Sequence, residues 1–304
     1  MATPEEQIVA AISIAGNPAG HPAETYSQAV EFLTKVRREC DHSWRPALTL
    51  FVATSEPGRH TWDDTVRLFA LTILDDFLDI GYAVVLVALV ACSLGHRVRY
   101  CRHNKGNLDD DAFQTLRDTF LSYLQSEYLY GSAEAKAPFL RNKFSHTLSL
   151  LFTATYETKW QDFFNSIFSL LKPPAEAGVV PFNPHVSIFF FRLLIEISSE
   201  VADQILKNAR IYNAERVVRD TRIRDRVREK DAATINEAVL TIVAEGKQKL
   251  DAIRREQRTE NPAQTEEVVD LGVRAFASYV RTCGDAPLNS PYTLIIHTSI
   301  YSLD

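Results

Sequence analysis

Apolar residues recur at three- and four-residue steps along most of this chain, and polar punctuation separates one run from the next. Thr3-Pro4-Glu5-Glu6 combines a capping hydroxyl, a first-turn proline and two acids, which predicts a helix ending before Asn17-Pro18. A second helix is expected from about Pro22, with Tyr26, Val30, Leu33 and Val36 on one apolar face, and a third over residues 42–53. The fourth opens at Thr61-Trp62-Asp63-Asp64 and aligns Trp62, Val66, Phe69, Ile73 and Phe77. Further helices are predicted over residues 109–128, 139–155 and 158–171, the last carrying Trp160, Phe163, Phe164, Ile167 and Leu170. Each has a broad apolar face that only a neighbour can cover. The next, residues 184–206, is apolar on most sides, as suits a helix sandwiched in a stack.

Taken two by two, with first members near residues 22, 62, 136 and 184, these helices recur at intervals of about 40, 74 and 48 residues. The long interval falls to about 46 when residues 80–107 are set aside, and helix pairs at such spacing are the signature of HEAT-type repeats. The predicted fold is therefore all-α, a HEAT-repeat α-solenoid, over residues 1–280; such units stack and offer a concave face to a partner. An irregular bundle of unrelated helices is the alternative. Two segments break the pattern. Residues 80–107 run from apolar to basic, and residues 281–304 read as a non-helical tail.

The chain has 304 residues, 46% hydrophobic and 24% charged, inside the ordinary globular range. Its net charge of -6 disfavours indiscriminate attraction to phosphate, so any contact with nucleic acid needs a local basic patch. Cys40, Cys92, Cys101 and Cys283 show neither framework nor metal-ligand spacing and read as reduced thiols. Met1-Ala-Thr-Pro-Glu-Glu lacks the basic start of a signal peptide. The apolar run at residues 80–94 falls short of the roughly 20 residues a spanning helix needs, so no stable membrane insertion is expected.

One motif looks catalytic. Asp75, Asp76 and Asp79 form a D-D-x-x-D on a predicted helix, able to hold Mg²⁺ against a diphosphate as isoprenoid-type synthases do. A second acidic cluster is needed, and the candidate Asp109-Asp110-Asp111 sits where the helix dipole favours acids anyway. A solvated acidic helix end is the simpler reading. No phosphate-cradling loop and no zinc spacing occurs, and neither an enzyme, a cofactor nor a metal site is predicted. Residues 207–230 are rich in arginine among alternating acids, which reads either as a solvated face or as guanidinium forks for RNA phosphates.

Phe139-Leu140-Arg141-Asn142-Lys143-Phe144, followed by Thr155-Tyr156-Glu157-Thr158-Lys159-Trp160-Gln161-Asp162-Phe163-Phe164, resembles the region shared by exportins, an R-N-K helix and then Y-x-x-x-W-x-x-F-F. Among exportins it looks most like the exportin-T group, which the stretch over residues 196–229 also matches. The resemblance implies a HEAT-repeat karyopherin that binds tRNA cooperatively with GTP-bound Ran, passes nuclear pore proteins and shuttles between nucleus and cytoplasm. Residues 80–107 and 281–304 have no counterpart in that pattern, as a translated intron or another gene-model error would leave. The chain then reads as a truncated N-terminal fragment.

If second helices of each pair line the concave face, Ran contacts fall on Gln125, Tyr128, Lys159 and Asp162. RNA phosphate contacts fall on Arg219, Arg222, Arg226 and Lys230. A helical-repeat scaffold for some other partner is the rival reading.

Overall fold

The structure, a computed structural model, describes residues 2–56, 59–79, 108–130, 137–171, 183–202, 214–256 and 262–283. The helices are α1 (Pro4–Gly16), α2 (Ala23–Arg38), α3 (Cys40–Val52), α4 (Asp64–Leu78), α5 (Asp110–Leu124), α6 (Pro138–Thr155), α7 (Phe163–Leu171), α8 (Pro184–Ala202), α9 (Ala214–Lys230), α10 (Ala232–Glu256) and α11 (Ala263–Cys283). A short antiparallel hairpin, β1 (Thr54–Glu56) and β2 (Arg59–His60), joins α3 to α4, and a π turn at Gln125–Leu129 prolongs α5. The fold class is all-α and of helical-repeat type, as the periodicity predicts.

Local chemistry starts these helices. Thr3 Oγ1 accepts from the Glu6 N–H at 3.2 Å while the Glu6 carboxylate accepts from the Thr3 N–H at 2.9 Å, a complete capping box. Asp63 and Asp109 each accept a backbone N–H three residues on, at 2.9 and 2.6 Å. Asn183 caps α8 through the N–H groups of His185 and Val186.

The chain forms two compact units, residues 1–159 and 160–304. In the first, α1 packs on α2 and α3 on α4, while helices two apart also touch: α1 with α3, α2 with α4, α3 with α5 and α4 with α6. The pairs therefore begin one helix earlier than expected. α2 leans on α1 far more than on α3, because apolar spacing marks a face without saying which neighbour covers it. The core here is aromatic. Phe144 lies 5.0–5.3 Å from the rings of Phe51, Phe120 and Tyr123, and Trp44 stacks on Phe77 at 5.3 Å.

In the second unit α11 lies against α8 and α10, with α9 packed on α8. Gly272 permits the closest approach: a Cβ there would stand 2.4 Å from Val243 and 3.0 Å from Phe191. The reading of α8 as a sandwiched helix holds, with Ile188, Phe189, Phe190, Phe191, Leu193 and Leu194 all buried.

Several expectations need correction. The α2 face expected to be covered is only partly so: Val36 is buried, but Tyr26 and Val30 are 36% and 39% exposed. The helix expected from residue 158 starts at Phe163, and buried Trp160 sits in the turn before it. Helicity continues past Val280 to Cys283, so the first residues of the supposed tail complete α11. The atypical segment at 80–107, residues 203–206 of the expected eighth helix and the tail from 284 lie outside the described residues. Among those described, no helix is long and apolar enough to cross a membrane.

Candidate nucleic-acid and partner interface

Helix α9 turns Asp220, Ile223 and Val227 inward. Arg219, Arg222, Arg226 and Lys230 follow at steps of three, four and four, which at about 100° per residue places them on one stripe roughly 80° wide beside the buried face. Sequence spacing thus brings the four predicted phosphate contacts onto one side of a real helix. Their freedom differs. Arg222 is exposed. Arg219 donates from Nε and Nη2 to the buried Asp220 carboxylate at 3.1 and 3.0 Å. Arg226 is half-buried and engaged, and the Lys230 ammonium donates to the Gln161 carbonyl. On the far side, Arg224 and Arg228 flank Asp225 at 3.2 and 4.0 Å.

The expected Ran contacts are more scattered. Gln125 is exposed at the start of the π turn, its carbonyl accepting from the Tyr130 N–H at 2.9 Å. Tyr128 is a core residue at 2% exposure, edge-on to Tyr123 at 6.3 Å between centroids. It extends the buried row of Leu116, Phe120 and Leu124, so its predicted role as a surface contact is corrected. Lys159 is an internal tie: its ammonium pairs with Asp110 at 2.6 Å and donates to the Leu108 carbonyl. Asp162, in the second unit, is exposed and leads into α7, where its carbonyl accepts from the Ser166 N–H at 3.0 Å.

The acidic motif on α4 has a structural explanation. Asp75 and Asp76 reach in different directions. Asp75 is buried, ion-paired with Lys143 of α6, with Thr147 Oγ1 donating to it at 2.5 Å and His146 Nε2 at 3.9 Å. Asp76 receives a two-pronged bond from Arg37 of α2, at 2.6 and 3.1 Å. Asp79 caps the helix through its N–H to the Asp75 carbonyl. Asp109, Asp110 and Asp111 are likewise committed, to the α5 cap, to Lys159 and to Arg45.

The diphosphate reading of Asp75, Asp76 and Asp79 is thereby corrected. So is the simpler alternative, since Asp75 is not a solvated residue. Burial pushes its carboxyl above the usual Asp value, opposed by Lys143, Thr147 and His146. The Arg37 guanidinium is raised chiefly by its hydrogen bond to Asp76. Among the described residues no group of His, Cys, Asp and Glu is disposed to hold a metal ion.

Two buried polar contacts had no signal in the sequence. His60 Nε2 stands 3.2 Å from Glu127 Oε2, joining β2 to the π turn. Arg67, 3% exposed, donates to the Tyr123 hydroxyl at 2.5 Å and to the Phe51 carbonyl at 3.3 Å. His60 lies between Arg59 and Thr61, and Glu127 follows Gln125-Ser126, as ordinary surface residues do, so nothing marked them beforehand.

The residues that carried the resemblance are mainly core. Tyr156, Trp160, Phe163 and Phe164 are buried, Arg141 is 9% exposed, and Lys143 holds Asp75. Residues 137–303 match the profile of the family described as Exportin 1-like protein. The chain belongs to the exportin 1-like family. It is 42% identical over 279 residues to Exportin-T of Laccaria bicolor and 41% identical over 277 residues to Exportin-T of Coprinopsis cinerea, each match taking in 90% of this chain. A more distant relative, Exportin-T of Mycosarcoma maydis, is 26% identical over 271 residues, or 85% of this chain. The chain spans about a quarter of these relatives, 24%, 24% and 22% of their lengths. For this member of the exportin family, most of the motif's aromatic residues build the core, while Gln161 and Asp162 within it are exposed.

Proposed function

We propose that this chain is the N-terminal portion of an exportin-T that carries tRNA out of the nucleus together with GTP-bound Ran. The observation that carries the reading is the 42% identity to an Exportin-T across 90% of the chain. The protein then shuttles between nucleus and cytoplasm past nuclear pore proteins, and its role is transport, not catalysis. Gln125 and Asp162 are the exposed members of the Ran set, with Lys159 contributing through the turn it anchors. Arg222 leads the RNA set, with Arg219, Arg226 and Lys230 beside it on the α9 stripe. The cationic spacing suits a phosphate backbone read by charge and shape, which is how helical RNA is generally recognised.

If Ran raises the affinity for tRNA, then tRNA raises the affinity for Ran by the same factor. The test is capture of this chain on immobilised Ran loaded with GTP or with GDP, with and without tRNA. Preference for the GTP form, strengthened by tRNA, is the expected result. Equal capture on both forms removes the reading in favour of a scaffold with another partner.

A further inference from the structure

The two carboxylates at the end of α4 tie it to helices of unlike burial. On one side α6 is buried along its length, from Leu140 to Thr155, and its hold on α4 passes through the sequestered Asp75. On the other side α2 buries only Ala29 and Val36, and α1 only Ile8, Ala11 and Ile12. The largest single contact of either helix is with the other, and each also touches α3 and α4. What joins α2 to α4 in the open is the Arg37–Asp76 fork, with both side chains reachable by water at 46% and 33% exposure.

We propose that α1 and α2 open together from the first unit, that the Arg37–Asp76 fork is the clasp that sets how often, and that an anionic group on a partner releases it by taking Arg37 from Asp76. The physical basis is a difference in local stability. Segments with few buried apolar contacts open below the global unfolding free energy, as cooperative pieces. A half-exposed ion pair is screened by salt, whereas the Asp75–Lys143 pair is shielded by its burial. A competing carboxylate or phosphate that pairs with Arg37 binds the open form better, and so populates it. The inference does not depend on the export reading.

The test is hydrogen exchange on the whole chain, followed by mass spectrometry on peptides covering α1–α2, α4 and α6, at 50 and 500 mM NaCl. In the wild type, α1–α2 amides exchange together, ahead of α4 and α6, and faster at high salt. Arg37→Ala or Asp76→Asn speeds α1–α2 exchange about two- to fivefold at low salt and removes the salt response. The rates for α4 and α6 stay as they were. Exchanging the two charges, Arg37→Asp with Asp76→Arg, restores the slow rate. At low salt, hexaglutamate speeds α1–α2 exchange in the wild type and not in Arg37→Ala. The clasp is refuted if α1–α2 exchange only with α4 and α6, or if neither salt nor the Arg37 and Asp76 variants change them. Indifference to hexaglutamate alone overturns release by an anionic partner.

Discussion

The two units solve the same packing problem by different means. In the first, charge pairs join helices two apart: Arg37 of α2 to Asp76 of α4, Lys143 of α6 to Asp75 of α4, and Arg45 of α3 to Asp111 of α5. In the second, most of the arginine pairs lie within one helix, Arg219 with Asp220, Arg224 and Arg228 with Asp225, and Arg274 with Asp270, while Arg254 of α10 meets Glu266 of α11 at 3.7 Å. There the helices are held by apolar contact, with Phe191 of α8 and Val243 of α10 close against Gly272 of α11. The lesson is that one repeat type tolerates two kinds of cohesion. Pairing between helices two apart should make the first unit the more responsive to salt, while most of the second unit's pairs leave the spacing of its helices to apolar contact.

The largest effect should come from breaking the apolar contact. Phe191→Ala removes a fully buried ring and should cost the second unit about 3–5 kcal/mol. Gly272→Ala, which forces a methyl against Val243 and Phe191, should cost about 1–3 kcal/mol. Denaturant unfolding followed by exchange in each unit checks both, with the loss expected in α8, α10 and α11. Loss spread evenly over both units would erase the distinction.

Next in size is Lys143→Ala, which strips the cation from a buried carboxylate. About 1–3 kcal/mol is expected near neutral pH, discounted because Lys143 is itself partly exposed. The cost should shrink in acid, where Asp75 takes up a proton instead.

A finer test uses Asp75→Asn. The carboxyl of Asp75 titrates higher in the folded chain than in the unfolded one, so the folded chain binds its proton more readily. Its contribution is therefore best below about pH 4 and declines as pH rises through the raised value. Melting curves across that window should show the wild type losing ground to Asp75→Asn as pH increases. A wild type that gains ground instead would mean that Lys143 outweighs burial.

Smallest in stability terms is Arg222→Ala, expected within about 0.5 kcal/mol of wild type. Its effect should appear in tRNA binding, as a fall of about one in the slope of log affinity against log salt. Arg224→Ala, on the far side of α9, should leave that slope alone.

Much of the fold was readable beforehand. Thr3 and Asp63 announce helix starts through short-range hydrogen bonds that need nothing distant. The apolar spacing of Leu140, Phe144, Leu148 and Leu151 marks a buried face whatever covers it. The α9 stripe was legible for the same reason, since helical periodicity alone aligns Arg219, Arg222, Arg226 and Lys230. Less legible were α10 and α11, whose apolar faces are diluted by charge, and the turn at Trp160, where a buried aromatic imitates a helix face. Tyr128 was misplaced although the spacing of Leu116, Phe120 and Leu124 already carries it onto the buried face.

The order of residues was enough to determine most of the segments that become helices, the caps at Thr3 and Asp63, which family they belong to and which cations share a side of α9. Those properties depend on interactions among residues a few places apart, or on a pattern carried by the string itself. Only the folded arrangement decided that α1 pairs with α2, that neighbouring aspartates on α4 serve opposite neighbours, and that Lys159 is tied to Asp110. A carboxylate becomes a metal ligand, a solvated charge or a helix tie according to what stands across from it. What stands across is brought there from far along the chain.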